Sequence, residues 1–97
     1  MAMYIALVNF TDQGVHHIKD TVKRADAAKA MAKKFGVTFK EIYWTLGSYD
    51  EVIVFDAPDD ASIAAFLAGL GALGNIRTQT LRAFSQADMN GILAKMG

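Results

Sequence analysis

The chain has 97 residues, 53% of them hydrophobic and 21% charged, with ten Lys plus Arg balancing ten Asp plus Glu. That length suits one domain with a modest core, burying roughly 60–65% of its extended surface, and zero net charge argues against nucleic-acid or anionic-membrane partners, which call for a positive excess. The absence of cysteine excludes disulfides, thiolate metal sites and thiol catalysis, and fits a reducing cytoplasm.

Residues 3–10 form a β-prone run with Met3, Ile5 and Leu7 on one side and Tyr4, Ala6, Val8 and Phe10 on the other. Both sides are apolar, so the strand is expected to be central and covered twice. Asp12 interrupts the run and no basic segment precedes it, which reads as a first strand rather than a secretory signal. No stretch approaches the roughly 18 apolar residues of a membrane span. Residues 11–14 are expected to form a loop. From 15 to 35 the period changes: Ile18, Val22, Ala25, Ala28, Ala32 and Phe35 make one stripe of a long helix, stopped by Gly36 after the basic pair Lys33-Lys34.

Residues 37–46 form the second strand, with Ile42, Trp44 and Leu46 on one parity and Val37 and Phe39 on the other. A bulge near Lys40-Glu41 would bring the two sets onto one face. Gly47-Ser48 reads as a two-residue hairpin loop, and residues 49–57 as the third strand, ended by Pro58. Asp59 or Asp60 caps a second helix carrying Ile63, Phe66, Leu67 and Leu70. Residues 75–84 give a two-faced fourth strand, and Ser85 with Asp88 a capping box for a terminal helix over 86–96, sticky along Met89, Ile92, Leu93 and Met96.

The order β-α-β-β-α-β plus a tail helix points to an α+β, ferredoxin-like, four-stranded antiparallel sheet with both main helices on one face. Residues 1–97 are expected to be a single domain with its core over 3–84. The other face, with Trp44, Tyr43 and Phe55 in the strand set, is too apolar for water. Burying roughly 600 Å² of it per subunit would be worth on the order of 15 kcal/mol before association costs. A homodimer or higher homo-oligomer is the sharpest expectation.

Three segments read together, Leu46-Gly47-Ser48-Tyr49-Asp50, Ala57-Pro58-Asp59 and residues 74–84 (Gly74-Asn75-Ile76-Arg77 onward to Phe84), resemble the GYD-domain family across residues 4–84. Ser48 separates Gly47 from Tyr49 where the family's namesake triplet is contiguous. The resemblance implies a small bacterial α+β protein similar to the dimeric α/β-barrel group, in which two sheets face each other. It implies no assigned biochemical role, so no catalytic residue is carried over.

Candidate site residues come from the residues themselves. Tyr49 and Asp50 either pack and accept hydrogen bonds at the sheet's rim or serve as acid and base in a pocket there. Neighbours on a strand leave it in opposite directions, which weighs for the first. His16 and His17 lie about 100° apart on a helix, so joint ligation of one metal is disfavoured and no metal is expected, although His17 could line a pocket. Arg77 and Arg82 differ by an odd number and face opposite sides; the one in a cavity needs Asp50, Glu51 or an anionic ligand. Asn9, Thr78 and Thr80 add polar points. The ligand set is therefore Asn9, Trp44, Tyr49, Arg77 and Thr78, and the catalytic candidates are Tyr49, Asp50, His17 and Arg77. The scattered methionines and the turn glycines Gly69, Gly71 and Gly74 match no cofactor motif, and none is expected. Two functions compete: a homo-oligomeric module binding a hydrophobic or anionic small molecule or serving a structural role, and a small cofactor-independent enzyme, of monooxygenase or isomerase type, acting on a hydrophobic or aromatic compound. A nucleic-acid binder fits the balanced charge least.

Overall fold

The structure, a computed structural model, describes residues 1–97. Four strands, β1 (Ala2–Phe10), β2 (Thr38–Trp44), β3 (Glu51–Ala57) and β4 (Ile76–Ala83), form one antiparallel sheet in the order β2-β3-β1-β4. Helices α1 (Asp12–His16) and α2 (Thr21–Lys33) lie between β1 and β2, with a 3₁₀ turn at Ile18–Asp20 between them. Helix α3 (Asp60–Ala72) joins β3 to β4, and α4 (Gln86–Lys95) ends the chain. This is the expected ferredoxin-like arrangement.

Alternation along the central strands sorts the side chains. Tyr4, Ala6 and Val8 of β1 and Ile53, Phe55 and Ala57 of β3 are buried, where they meet Ala28 and Ala32 of α2 and Ile63, Phe66 and Leu70 of α3. Phe55 packs edge-on between Phe39 and Phe66, at centroid distances of 4.7 and 5.7 Å. The register of β2 shifts between Phe39 and Glu41, leaving Lys40 as the extra residue, so that Phe39 pairs with Phe55 and Ile42 with Ile53 on the helix side. The bulge expected from the parity conflict is present.

Two local expectations are corrected. The single helix over 15–35 is broken: α1 starts early, capped by Thr11, whose side chain accepts from the Gly14 N–H, and the chain turns at His17 before α2 begins. The cause is tertiary. Thr11 and Gln13 are tied to the loop before β4, through Thr11 Oγ1 to Gly74 O (2.6 Å) and Gln13 Nε2 to Leu73 O (3.1 Å), while α2 must lie over the sheet. The Arg24 guanidinium donates to the Gly14 and His17 carbonyls at the break, the latter shared with the Asp20 N–H. Val22 and Ile18 are consequently exposed, and only the Ala25, Ala28 and Ala32 part of the stripe is buried. The two-residue hairpin is a longer loop, closed by Thr45 N donating to Asp50 O (2.9 Å), with Gly47 at a positive φ of 103°.

The second face carries Met3, Ile5 and Leu7 with Val52 and Val54, all half-buried, flanked by Tyr43 and the exposed Leu81. Cross-strand rows run Leu81–Ile5–Val54 and Gln79–Leu7–Val52–Tyr43. Of the aromatics expected here only Tyr43 belongs: Phe55 lies beneath the helices, and Trp44 pairs with Glu51 on the helix side, its indole N–H donating to Thr21 Oγ1 (2.9 Å). The Ser85–Asp88 capping box is formed, yet α4 buries none of its residues and leaves this face bare. The molecule measures 52 × 31 × 17 Å. No helix is long and apolar enough to cross a membrane.

Candidate functional site: a cleft between the helices and the sheet

Small residues on α2 open the site. Ala25 and Ala28 fill too little space to close the gap to the sheet, and between α2, α3 and the strands lies a cleft of about 130 Å³. Its walls are largely apolar, with Met31 and Leu70 above and Phe39, Ile42 and Ile53 below. Glu51 and Arg24 supply the charge.

Glu51 is the first residue of β3 and shares parity with Ile53 and Phe55, so strand alternation turns its carboxylate inward. It is only 6% exposed. The chain's one close ion pair, Lys40 with Asp56 at 3.4 Å, lies elsewhere, and nothing donates a hydrogen bond to the Glu51 carboxylate. Burial pushes its pKa up to about 7; Arg24 opposes that rise and Asp50 adds to it. Arg24 is itself held, donating to Gly14 O and His17 O and lying 5.6 Å from the Phe10 ring centroid.

The residues singled out in the sequence fall into separate places. Asp50 stitches the end of the β1–β3 ladder: its Oδ2 accepts from Phe10 N (2.8 Å) and its own N–H donates to Val8 O (2.8 Å). The Tyr49 hydroxyl donates to Gln79 Oε1 (3.2 Å) on the sheet's bare face, and the pair Asn9 and Arg77 continues that face one row further. Asn9, Tyr49 and Arg77 are thus brought to one end of the open face, whereas Trp44 and Thr78 belong to the helix side. His17 is exposed at the end of α1, its ring 5.0 Å from that of His16. Arg82, on the side opposite Arg77, donates to Met3 O and stacks over Phe84 rather than pairing with Asp50 or Glu51. None of Tyr49, Asp50, His17 or Arg77 lines the cleft. No group of three or more His, Asp or Glu is placed to hold a metal ion.

The family model of the GYD domain matches residues 4–93. This chain belongs to the GYD domain family. A relative from Thermus thermophilus, described as a glutamine synthetase and cystathionine beta-lyase binding protein, is 32% identical over 90 residues, covering 92% of this GYD domain protein and 95% of the relative. A crystal structure of a Thermus thermophilus protein is similar at a TM-score of 0.56 and 22% identity, over 88% of this chain and 95% of that one. A candidate chlorite dismutase is similar at a TM-score of 0.53 and 17% identity, over 96% of this chain and 48% of its own length. The structural matches establish the fold.

In the sequence of this GYD protein Glu51 reads only as a partner for Arg77 or Arg82, and the cleft does not show. The available signal was parity: a carboxylate that heads an alternating Ile53, Phe55, Ala57 set is placed inside.

Proposed function

We propose that this GYD protein is a self-associating, single-domain binding module of the cytoplasm: a second copy covers the bare sheet face, and the cleft on the helix side receives a small molecule. The observation that carries the reading is the band of Met3, Ile5, Leu7, Val52, Val54 and Leu81, which no element of its own chain covers. A continuous apolar band on a small protein favours a partner surface, and polar Gln79, Arg77, Asn9 and Glu41 around it resemble an interface rim. The relative named for binding two enzymes supports a binding role over a catalytic one.

Analytical ultracentrifugation at micromolar concentration tests this. The native protein is expected to sediment as a dimer or larger, and Val54→Lys, at the centre of the band, as a folded monomer with unchanged circular dichroism. A native protein that is monomeric under those conditions would sink the reading.

A second reading, a cofactor-independent enzyme of isomerase or monooxygenase type, has one observation in its favour. Glu51, with a pKa of about 7 in an apolar cleft, suits proton transfer near neutrality. Tyr49, Asp50, His17 and Arg77 lend it no support, as none reaches the cleft.

A further inference from the structure

We propose that the cleft selects a small, neutral, apolar molecule bearing one hydrogen-bond-donating hydroxyl, a phenol or a compact alcohol, which Glu51 engages through its carboxylate. The proposal rests on the small-molecule part of the function above and names the ligand class.

Three observations carry it. The first is size. At about 130 Å³ the space is close to that of an engineered apolar cavity, roughly 150 Å³, that takes a benzene ring. The second is the wall: Ala28, Met31, Ile42, Ile53 and Leu70 offer an apolar body contact without polar competition. The third is the unpartnered acid. Glu51 is 6% exposed as a residue and has no donor in the protein, so its oxygens are left to the cleft's water, whose place a bound hydroxyl would take while the rest of the ligand lies against the apolar wall.

The charges around Glu51 narrow the class further. From α2 it faces Arg24, and Asp50 precedes it at the end of the β2–β3 loop; α3 contributes no ionisable group to the lining. An anionic ligand meets the Glu51 carboxylate, with the charge of Asp50 behind it. An ammonium ligand sets a second cation beside Arg24, which already compensates the acid. A neutral donor meets neither penalty, and it serves the carboxylate directly. If Glu51 takes up a proton, the carboxyl can still accept from the same hydroxyl.

The test is titration of the native protein at pH about 7.5, followed by amide chemical shifts, with phenol, toluene, benzoate and benzylamine as probes. Phenol is expected to perturb residues of the cleft, such as Ala28, Ile53 and Leu70, and to bind at least about tenfold more tightly than the other three. Glu51→Leu should reverse the order of phenol and toluene. Glu51→Gln, the milder change, should weaken phenol about threefold or more and supplies the comparison if the leucine variant does not fold. Toluene, benzoate or benzylamine binding in the cleft as tightly as phenol would overturn the hydroxyl class while leaving the cleft as a binding site. Shifts confined to the bare sheet face, or none with any probe, would overturn the small-molecule reading itself.

Discussion

Glu51 makes the stability of this molecule depend on pH in a direction opposite to the usual acid. A carboxyl raised from its ordinary 4.5 to about 7 by burial keeps its proton in the folded chain and loses it in the unfolded one. Between those values the native state binds more protons, so stability falls as pH rises and levels off above about 7. Glu51→Gln should remove that slope. Allowing for water at the cleft mouth, it is expected to gain roughly 1–2 kcal/mol at pH about 8.5 and almost nothing at pH about 4; urea melts at both values check it, and an equal gain at both would refute the assignment. Other side chains were legible one by one because their partners are near in sequence. Asp59 caps α3 by accepting from Ser62 N; the Ser62 hydroxyl first and that N–H second hold its carboxyl below the usual range, and Ser85 with Asp88 closes the box at α4. Glu51 was hidden because its environment is assembled from α2, α3 and all four strands, which no window of sequence displays. The Tyr4 hydroxyl, donating to Asp60 from 56 positions away, was hidden for the same reason.

Strands and helices were readable wherever a single periodicity governed them. β1, β3 and α3 lie close to their expected spans, and the parity conflict in β2 announced its bulge. The α1–α2 break was not readable, because the apolar stripe runs on through it and the interruption is imposed from the α3–β4 loop. Gly14 is the point of closest approach: a Cβ there would run into the Asn75 carbonyl, which also accepts from Thr11 N at 3.0 Å. Gly14→Ala is therefore expected to cost about 1–3 kcal/mol despite lying in a helix, where alanine is ordinarily the better residue. Thermal melts of the two proteins decide it. A neutral or stabilising effect would mean that α1 does not sit against that loop in solution.

Taken whole, the molecule is two layers with an arm. The layers were foreseeable from element order and alternation, but the position of α4 was not, since an amphipathic tail can fold back or stand away. Here it stands away with Leu93 and Met96 exposed. Ending the chain after Ser85 should leave the circular dichroism of the sheet intact and shift Tm by no more than about 3 °C, as expected when little is buried. A larger loss that deepens on dilution would put the arm inside the assembly. The two-sidedness of the layers, in turn, hangs on Lys40. Remove that one residue, which salts a surface carboxylate and looks expendable, and strict alternation returns to its strand: Phe39 would swing out of the aromatic cluster toward water, or everything after it would. A solvent-facing lysine thus keeps time for the interior, and its worth lies in being counted rather than in anything its ammonium touches.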